Sequence, residues 1–154
     1  MNLVDELQAI ARALSQHGIP YAVCGGVAVT VHGATRSTKD IDILVAPADV
    51  ARVLDAVRPL GFAFAALPLT FDAGTERERH VQRVSKIEGA HHLVLDLLLA
   101  DSAFAGFLDG RVEVDLPEGP LTVVAVDTLI RMKRLAGRAQ DLADIEKLEG
   151  KDGA

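Results

Sequence analysis

Between Ala22 and Val45 the chain reads AVCGGVAVTVHGATRSTKDIDILV, with a glycine pair near one end and two aspartates, one residue apart, near the other. The acids fall in a stretch whose other residues are those of a buried strand. A strand of this kind must turn its acids to a cleft and its apolar residues to a core, because an unpaired buried charge is costly. Strand side chains alternate, so Asp40 and Asp42 share one face while Ile41 and Ile43 point to the other. Two carboxylates this close repel unless a cation lies between them, and hard oxygen ligands of this sort suit Mg²⁺ or Mn²⁺. The plainer alternative pairs them with Lys39 or Arg36 at a strand end.

Upstream, Tyr21 to Cys24 read as a short strand. Gly25 and Gly26 form a sharp turn into a helix over about Val27–His32, which ends near Gly33. Strand, glycine pair and helix together make a geometry that binds phosphate, since glycine lets the backbone approach an anion and a helix N-terminus presents free N–H groups. No Lys-Ser/Thr follows, so this is not a Walker loop, and a plain tight turn is the competing reading. A third acid, Asp96, interrupts the apolar run HHLVLDLLLA. It is either a strand-edge acid paired with His91 or His92, or a third carboxylate beside Asp40 and Asp42. Three carboxylates can hold two divalent ions in a phosphoryl-transfer site.

The remaining pattern surrounds this site with alternating helices and strands. Leu3, Leu7, Ile10 and Leu14 recur at helical spacing over 3–16, and Gly18 and Pro20 stop that helix. Pro47 begins a third helix with Val50, Val53, Leu54 and Val57 on its buried side. FAFAALPLTFD reads as a short strand followed by a loop, and DAGTERERH as a mobile hairpin tip. Val81–Ile87 and HHLVLDLLLA read as strands, SAFAGFLDG as a short helix or turn, and RVEVDL and LTVVAV as strands joined by a Pro117–Pro120 turn. Asp127 fits an N-cap for TLIRMKRLAG. A last helix, AQDLADIEKLEG, buries Leu142, Ile145 and Leu148 and ends at Gly150. The fold class is α/β (α+β), a mixed sheet flanked by helices with a C-terminal helical pair. The 154 residues suffice for one domain, with a core over about 19–126 and the helical pair over 127–150. One cysteine excludes a disulfide framework and fits a reducing cytoplasm. No apolar run spans a bilayer, and the acidic N-terminal helix does not resemble a signal peptide. A net charge of −6 argues against a broad nucleic-acid surface, and the absence of Trp with 4% aromatics argues against base-stacking platforms. RERHVQR is a solvated hairpin face and also the best local basic patch for a nucleic-acid acceptor.

The block GGVAVTVHGATRSTKDIDILV resembles the first motif of the nucleotidyltransferase superfamily that includes DNA polymerase beta. It is most similar to small bacterial proteins of the abortive-infection toxin type (AbiEii-like). In that family a glycine pair and short helix lead to Asp-x-Asp on the next strand, and a third acid follows on a later strand, where Asp96 stands. IRMKRLAGRAQDLADI resembles the toxin-type motif of a helix lysine, an arginine and Asp-x-x-Asp, with Lys133, Arg138, Asp141 and Asp144 in those places. The resemblance runs from Tyr21 to Leu148. It implies a minimal nucleotidyltransferase fold that moves a nucleoside monophosphate from an NTP to an acceptor hydroxyl and releases pyrophosphate. Asp40, Asp42 and Asp96 would be metal ligands and catalytic, with Asp96 helping to deprotonate the acceptor. Gly25 and Gly26 would cradle the triphosphate, and Lys133 would neutralise it. Arg36, Ser37 and Thr38 would be secondary phosphate or substrate contacts.

Two readings of Asp141 and Asp144 stand side by side: direct participation at the nucleotide, with Arg138, or ion pairs with Lys133, Arg134 or Arg138 that tie the last two helices together. His32 reads as a packing or capping residue, and Cys24 as a buried core thiol. His91 and His92 lack metal-ligand spacing with a second pair. The acceptor (RNA or tRNA, a protein, or a small molecule) is not selected by any motif, and the toxin-type resemblance implies an antitoxin partner. The competing function is a weakly active or inactive binding module of the same fold. A sugar-nucleotide glycosyltransferase is a weaker third reading, because it leaves the glycine pair unexplained.

Overall fold

The heptad-like apolar spacing at the N-terminus produces α1 (Leu3–Gln16), which buries Leu7, Ile10 and Leu14 and starts at Asn2, whose side chain accepts from the Val4 and Asp5 amides. The computed structural model describes residues 1–34 and 38–152. After α1 come β1 (Ala22–Cys24), α2 (Gly25–Val31), β2 (Ile41–Val45), α3 (Val50–Val57), β3 (Phe62–Ala65), β4 (Leu69–Phe71), β5 (Arg79–Glu88) and β6 (His91–Leu99). Then follow β7 (Arg111–Leu116), β8 (Gly119–Val124), α4 (Val126–Ala136) and α5 (Ala139–Asp152). Among the described residues the strands form one mixed sheet in the order β3-β5-β6-β2-β1-β8-β7, with β4 also paired to β5. The β2–β6 and β1–β8 pairs are parallel and the others antiparallel. The α/β class with a flanked mixed sheet and two C-terminal helices is therefore the observed one.

Alternation divides the core into two layers. Val23, Ile43, Leu97 and Val123 stand in one cross-strand row and pack with Leu7, Ile10 and Leu14 of α1 and Val53 and Val57 of α3. Ala22, Cys24, Leu44 and Val124 face the other way, against Ala28 and Val29 of α2, Leu129 and Met132 of α4 and Leu148 of α5. An ion pair between Lys86 of β5 and Glu6 of α1, at 2.7 Å, adds a polar tie on the first side.

Several expectations need correction. Asp40 is not part of the strand: β2 begins at Ile41, and Asp40 lies exposed in the preceding bend. The cause is local, since β1 turns away at Gly25 (φ +63°) and its ladder with β2 ends at Cys24 opposite Asp42. Leu69–Phe71 is strand β4 rather than loop, because β5 is long enough to pair β3 and β4 along the same edge. Pro47 opens a short 3₁₀ turn, Pro47–Asp49, before α3. The α4 N-cap is Ala125, and Asp127 sits in the first helical turn with its carboxylate accepting from the Thr128 amide. Leu142 points to solvent, while Ile145 and Leu148 are buried, and α5 continues past Gly150 to Asp152. The segment before β5 is tied down: Arg77 donates to the Arg134 carbonyl (2.9 Å) and the Leu135 carbonyl (3.1 Å), and Arg79 to Leu135 (2.8 Å). These guanidinium groups satisfy carbonyls at the α4 C-terminus that helix geometry leaves unpaired.

Candidate active site

The register of the sheet places four polar or ionisable side chains, a thiol, two carboxylates and a guanidinium, in one row. Cys24 of β1 stands opposite Asp42 of β2, Asp42 opposite Asp96 of β6, and Asp96 opposite Arg83 of β5. Directly paired residues share a face, and this is the face of Leu44 and Ala22, covered by α2 and the C-terminal helices. The two aspartates of the row come from parts of the chain 54 positions apart, brought together by the parallel β2–β6 pairing. Asp40 reaches the same region from the bend before β2 and exerts a charge on Asp42.

Gly25 explains how tightly the row is packed. A Cβ at this position would overlap the Asp42 carboxylate, and the positive φ of 63° itself disfavours any side chain. The glycine pair therefore lets the start of α2 lie directly on Asp42. Burial pushes the Asp42 pKa from 3.8 to about 7, the charges of Asp96 and Asp40 push the same way, and Lys133 and Arg138 oppose them. This is a carboxylate environment short of positive charge. Burial also pushes the Cys24 thiol well up, reinforced by Asp42, so Cys24 is a buried neutral core residue as expected.

The C-terminal helices bring the cations. Lys133 is buried and contacts Asp144 at 2.9 Å and Asp141 at 3.5 Å. Arg138 holds Asp141 at 2.7 Å through Nε and 3.1 Å through Nη2, and Gln140 donates to Asp144 at 2.8 Å. Burial alone would raise the Asp141 pKa, but the hydrogen bonds and charge of Arg138, with Lys133, outweigh it and hold the carboxyl below its usual range. The ion-pair reading of Asp141 and Asp144 thus describes the geometry. The positive field of Lys133 and Arg138 still reaches Asp42, so the same network both joins the helices and faces the acids.

Of the expected site residues, Gly25 packs on Asp42, Asp42 pairs with Asp96 at the centre of the sheet, Gly26 follows in the first turn of α2, and Lys133 and Arg138 act on Asp42 from the helical side. Thr38 stands before the bend, its hydroxyl donating to the Asp40 carbonyl at 3.3 Å, and with Lys39, His91 and His92 it lines an open surface hollow of about 390 Å³. Arg36 and Ser37 lie outside the described residues. His32 is the C-cap of α2, its backbone N–H donating to the Ala28 carbonyl, and its Nε2 lies 2.7 Å from the Val124 carbonyl at the end of β8. Asp96 pairs neither with His91 nor with His92 but with Arg83, whose Nε and Nη2 reach its two oxygens at 2.8 and 3.0 Å.

Arg83 is the residue that motif reading missed. Its signal was the hairpin: Glu88 pairs with His91 across Gly89-Ala90, and counting back along both strands puts Arg83 opposite Asp96. The expected basic patch is consumed in the same way, since Arg77 and Arg79 cap α4 and Arg83 holds Asp96. The donor set of Asp40, Asp42 and Asp96 is all hard oxygen and suits a divalent cation. Among the described residues, however, no three acidic, His or Cys side chains converge on one point as they stand.

A family profile described as "uncharacterised nucleotidyltransferase" matches residues 1–131, and the chain belongs to this nucleotidyltransferase family. The match holds α1 through most of α4 and stops before Lys133. Among solved structures the chain is similar to TM1012 of Thermotoga maritima, assigned to the nucleotidyltransferases (TM-score 0.63, 13% identity, 96% of this chain and 92% of that one). It is also similar to ANT(2")-Ia solved with adenylyl-2"-tobramycin (TM-score 0.58, 14% identity, 94% and 86%) and to JHP933 of Helicobacter pylori (TM-score 0.51, 16% identity, 93% and 62%). At these identities the likeness is one of fold. No curated protein sequence gives a significant match. The protein is thus a transferase of the nucleotidyl class, a class whose members in general use NTP substrates and divalent metals.

Proposed function

We propose that the chain transfers a nucleoside monophosphate from a metal-bound NTP to an acceptor hydroxyl at the Asp42–Asp96 face. The observation that carries this reading is the in-register pairing of Asp42 with Asp96 directly beneath Gly25. Asp40, Asp42 and Asp96 would hold Mg²⁺ or Mn²⁺, which when bound neutralises the triphosphate and stabilises charge at the attacking and leaving oxygens. The backbone at Gly25 and Gly26 receives the phosphates, and a side chain at Gly25 would collide with Asp42. Lys133 and Arg138 supply positive charge from the helical side. The acceptor oxygen attacks the α-phosphorus, its proton passes to Asp96, the bond from the α-phosphorus to the bridging oxygen breaks, and pyrophosphate leaves. Thr38 would be a secondary phosphate or substrate contact, the role the resemblance also implies for Arg36 and Ser37.

A small hydroxylated molecule is the acceptor class we favour. The neighbour of comparable length, ANT(2")-Ia, was solved with a nucleotidylated small molecule, and in this chain Arg77, Arg79 and Arg83 of the expected basic patch are engaged with α4 carbonyls and with Asp96. The test is purified protein with Mg²⁺, each α-labelled NTP, and separate pools of small hydroxylated compounds, RNA and protein. Label should pass to the small-molecule pool and vanish with Asp42→Asn. Transfer to RNA or protein instead would overturn the acceptor class, and no transfer without Mg-NTP binding would overturn the reaction. The toxin-type role, with an antitoxin partner and a cytoplasmic site of action, rests on the Lys133–Asp144 block. Growth arrest on expression, relieved by Asp42→Asn, would support it, and unaffected growth would argue against it.

A further inference from the structure

Asp96 is asked to bind a cation and take a proton, yet both of its oxygens are already engaged. Arg83 grips them in a bidentate pair at 2.8 and 3.0 Å, from the position directly across the hairpin. The carboxylate is largely sheltered (13% exposed) while the guanidinium is open to water (45%). Beyond the row, Arg83 also lies in the field of Asp40 and Asp42. One positive group of the chain itself thus stands where a divalent cation would meet the third acid, and among the described residues no three acidic, His or Cys side chains converge on one point.

We infer that Arg83 is a positioning residue that closes Asp96 in the nucleotide-free protein and must release it before the three carboxylates can act together. The inference rests on the nucleotidyl-transfer reading of the site. The exchange is physically easy. A guanidinium this exposed regains water when it leaves, and the sheltered carboxylate it uncovers is free to join a divalent ion held by several carboxylates. The bidentate fork also fixes the plane of the carboxylate while it is closed, which a lysine, a single point charge, cannot do. Once freed, Arg83 remains at the rim of the row, beside the acids it has left.

The test is titration with Mn²⁺ alone, above neutral pH, followed by calorimetry, for wild type, Arg83→Gln, Arg83→Lys and Asp96→Asn, with and without Arg83→Gln in the last. Arg83→Gln should bind Mn²⁺ more tightly, on the order of fivefold, because the competing cation is gone. Arg83→Lys should fall between it and wild type, and decides the matter should the glutamine variant not fold. The Arg83→Gln gain should disappear in Asp96→Asn, since the competition runs through that carboxylate. A purely structural role predicts the reverse, weaker binding as Asp96 loses its support. If Arg83→Gln leaves Mn²⁺ binding unchanged or weaker while Asp42→Asn abolishes it, the inference fails and the site reading stands. If neither wild type nor any variant binds Mn²⁺ or Mn-NTP, both fail.

Discussion

Asp42 sits under α2 with its pKa pushed up to about 7, chiefly by burial and then by Asp96 and Asp40. A carboxyl whose folded pKa lies above its unfolded one binds its proton more tightly when folded, so folding stability falls as pH rises between the two values. Wild type should therefore lose stability from about pH 3.8 to about pH 7 relative to Asp42→Asn, which keeps the shape and removes the charge. The difference should grow by at most about 1.4 kcal/mol per pH unit and level off above that window. Denaturant unfolding at a series of pH values measures it, and parallel curves for the two proteins would show that Asp42 is not buried as described. A gain in stability on removing the Asp42 charge is what a group held for function rather than for folding should give.

At the scale of elements, the two C-terminal helices are joined by pairs of opposite character. Lys133 is buried with Asp144 and Asp141, whereas Arg134 and Glu149 meet at 2.6 Å with both side chains more than half exposed. Losing one member of a buried network leaves uncompensated charge, so Lys133→Met should destabilise the fold by about 3 kcal/mol. Arg134→Ala should cost less than about 1 kcal/mol. Thermal or denaturant unfolding distinguishes them, and equal effects would contradict the burial difference. The sequence could not choose between a catalytic and a helix-joining role for Asp141 and Asp144, because i,i+3 spacing is the same in both. The structure places their cations between the two tasks: Lys133 and Arg138 hold the acids of α5 and also act on Asp42.

For the whole molecule, the parts of the site carried by local pattern were legible: a glycine pair that must turn, an acid on the polar phase of an apolar strand, and a second such acid at Asp96. What escaped was set by pairing partners. Asp40 leaves the strand because β1 turns aside at Gly25, a limit imposed by a neighbour and not by the alternation of its own residues. β4 exists because β5 extends far enough to receive it, although Leu69 to Phe71 are all exposed and lack a buried phase. The partner of Asp96 is neither of the nearby histidines His91 and His92 but Arg83, across a hairpin whose register is countable from Gly89-Ala90. The helical caps followed the same rule, as Arg77 and Arg79 of the supposed loose tip found carbonyls more than 50 positions away.

The account stands or falls on whether this face holds a metal–nucleotide. Calorimetric titration of the intact protein with each NTP in Mg²⁺, beside Asp42→Asn, measures that directly, without knowledge of the acceptor. The account predicts saturable binding of at least one NTP in the micromolar-to-millimolar range usual for enzyme substrates, dependent on Mg²⁺ and lost in Asp42→Asn while that variant remains folded. Binding of no NTP by wild type, or binding that Asp42→Asn leaves intact, would contradict it.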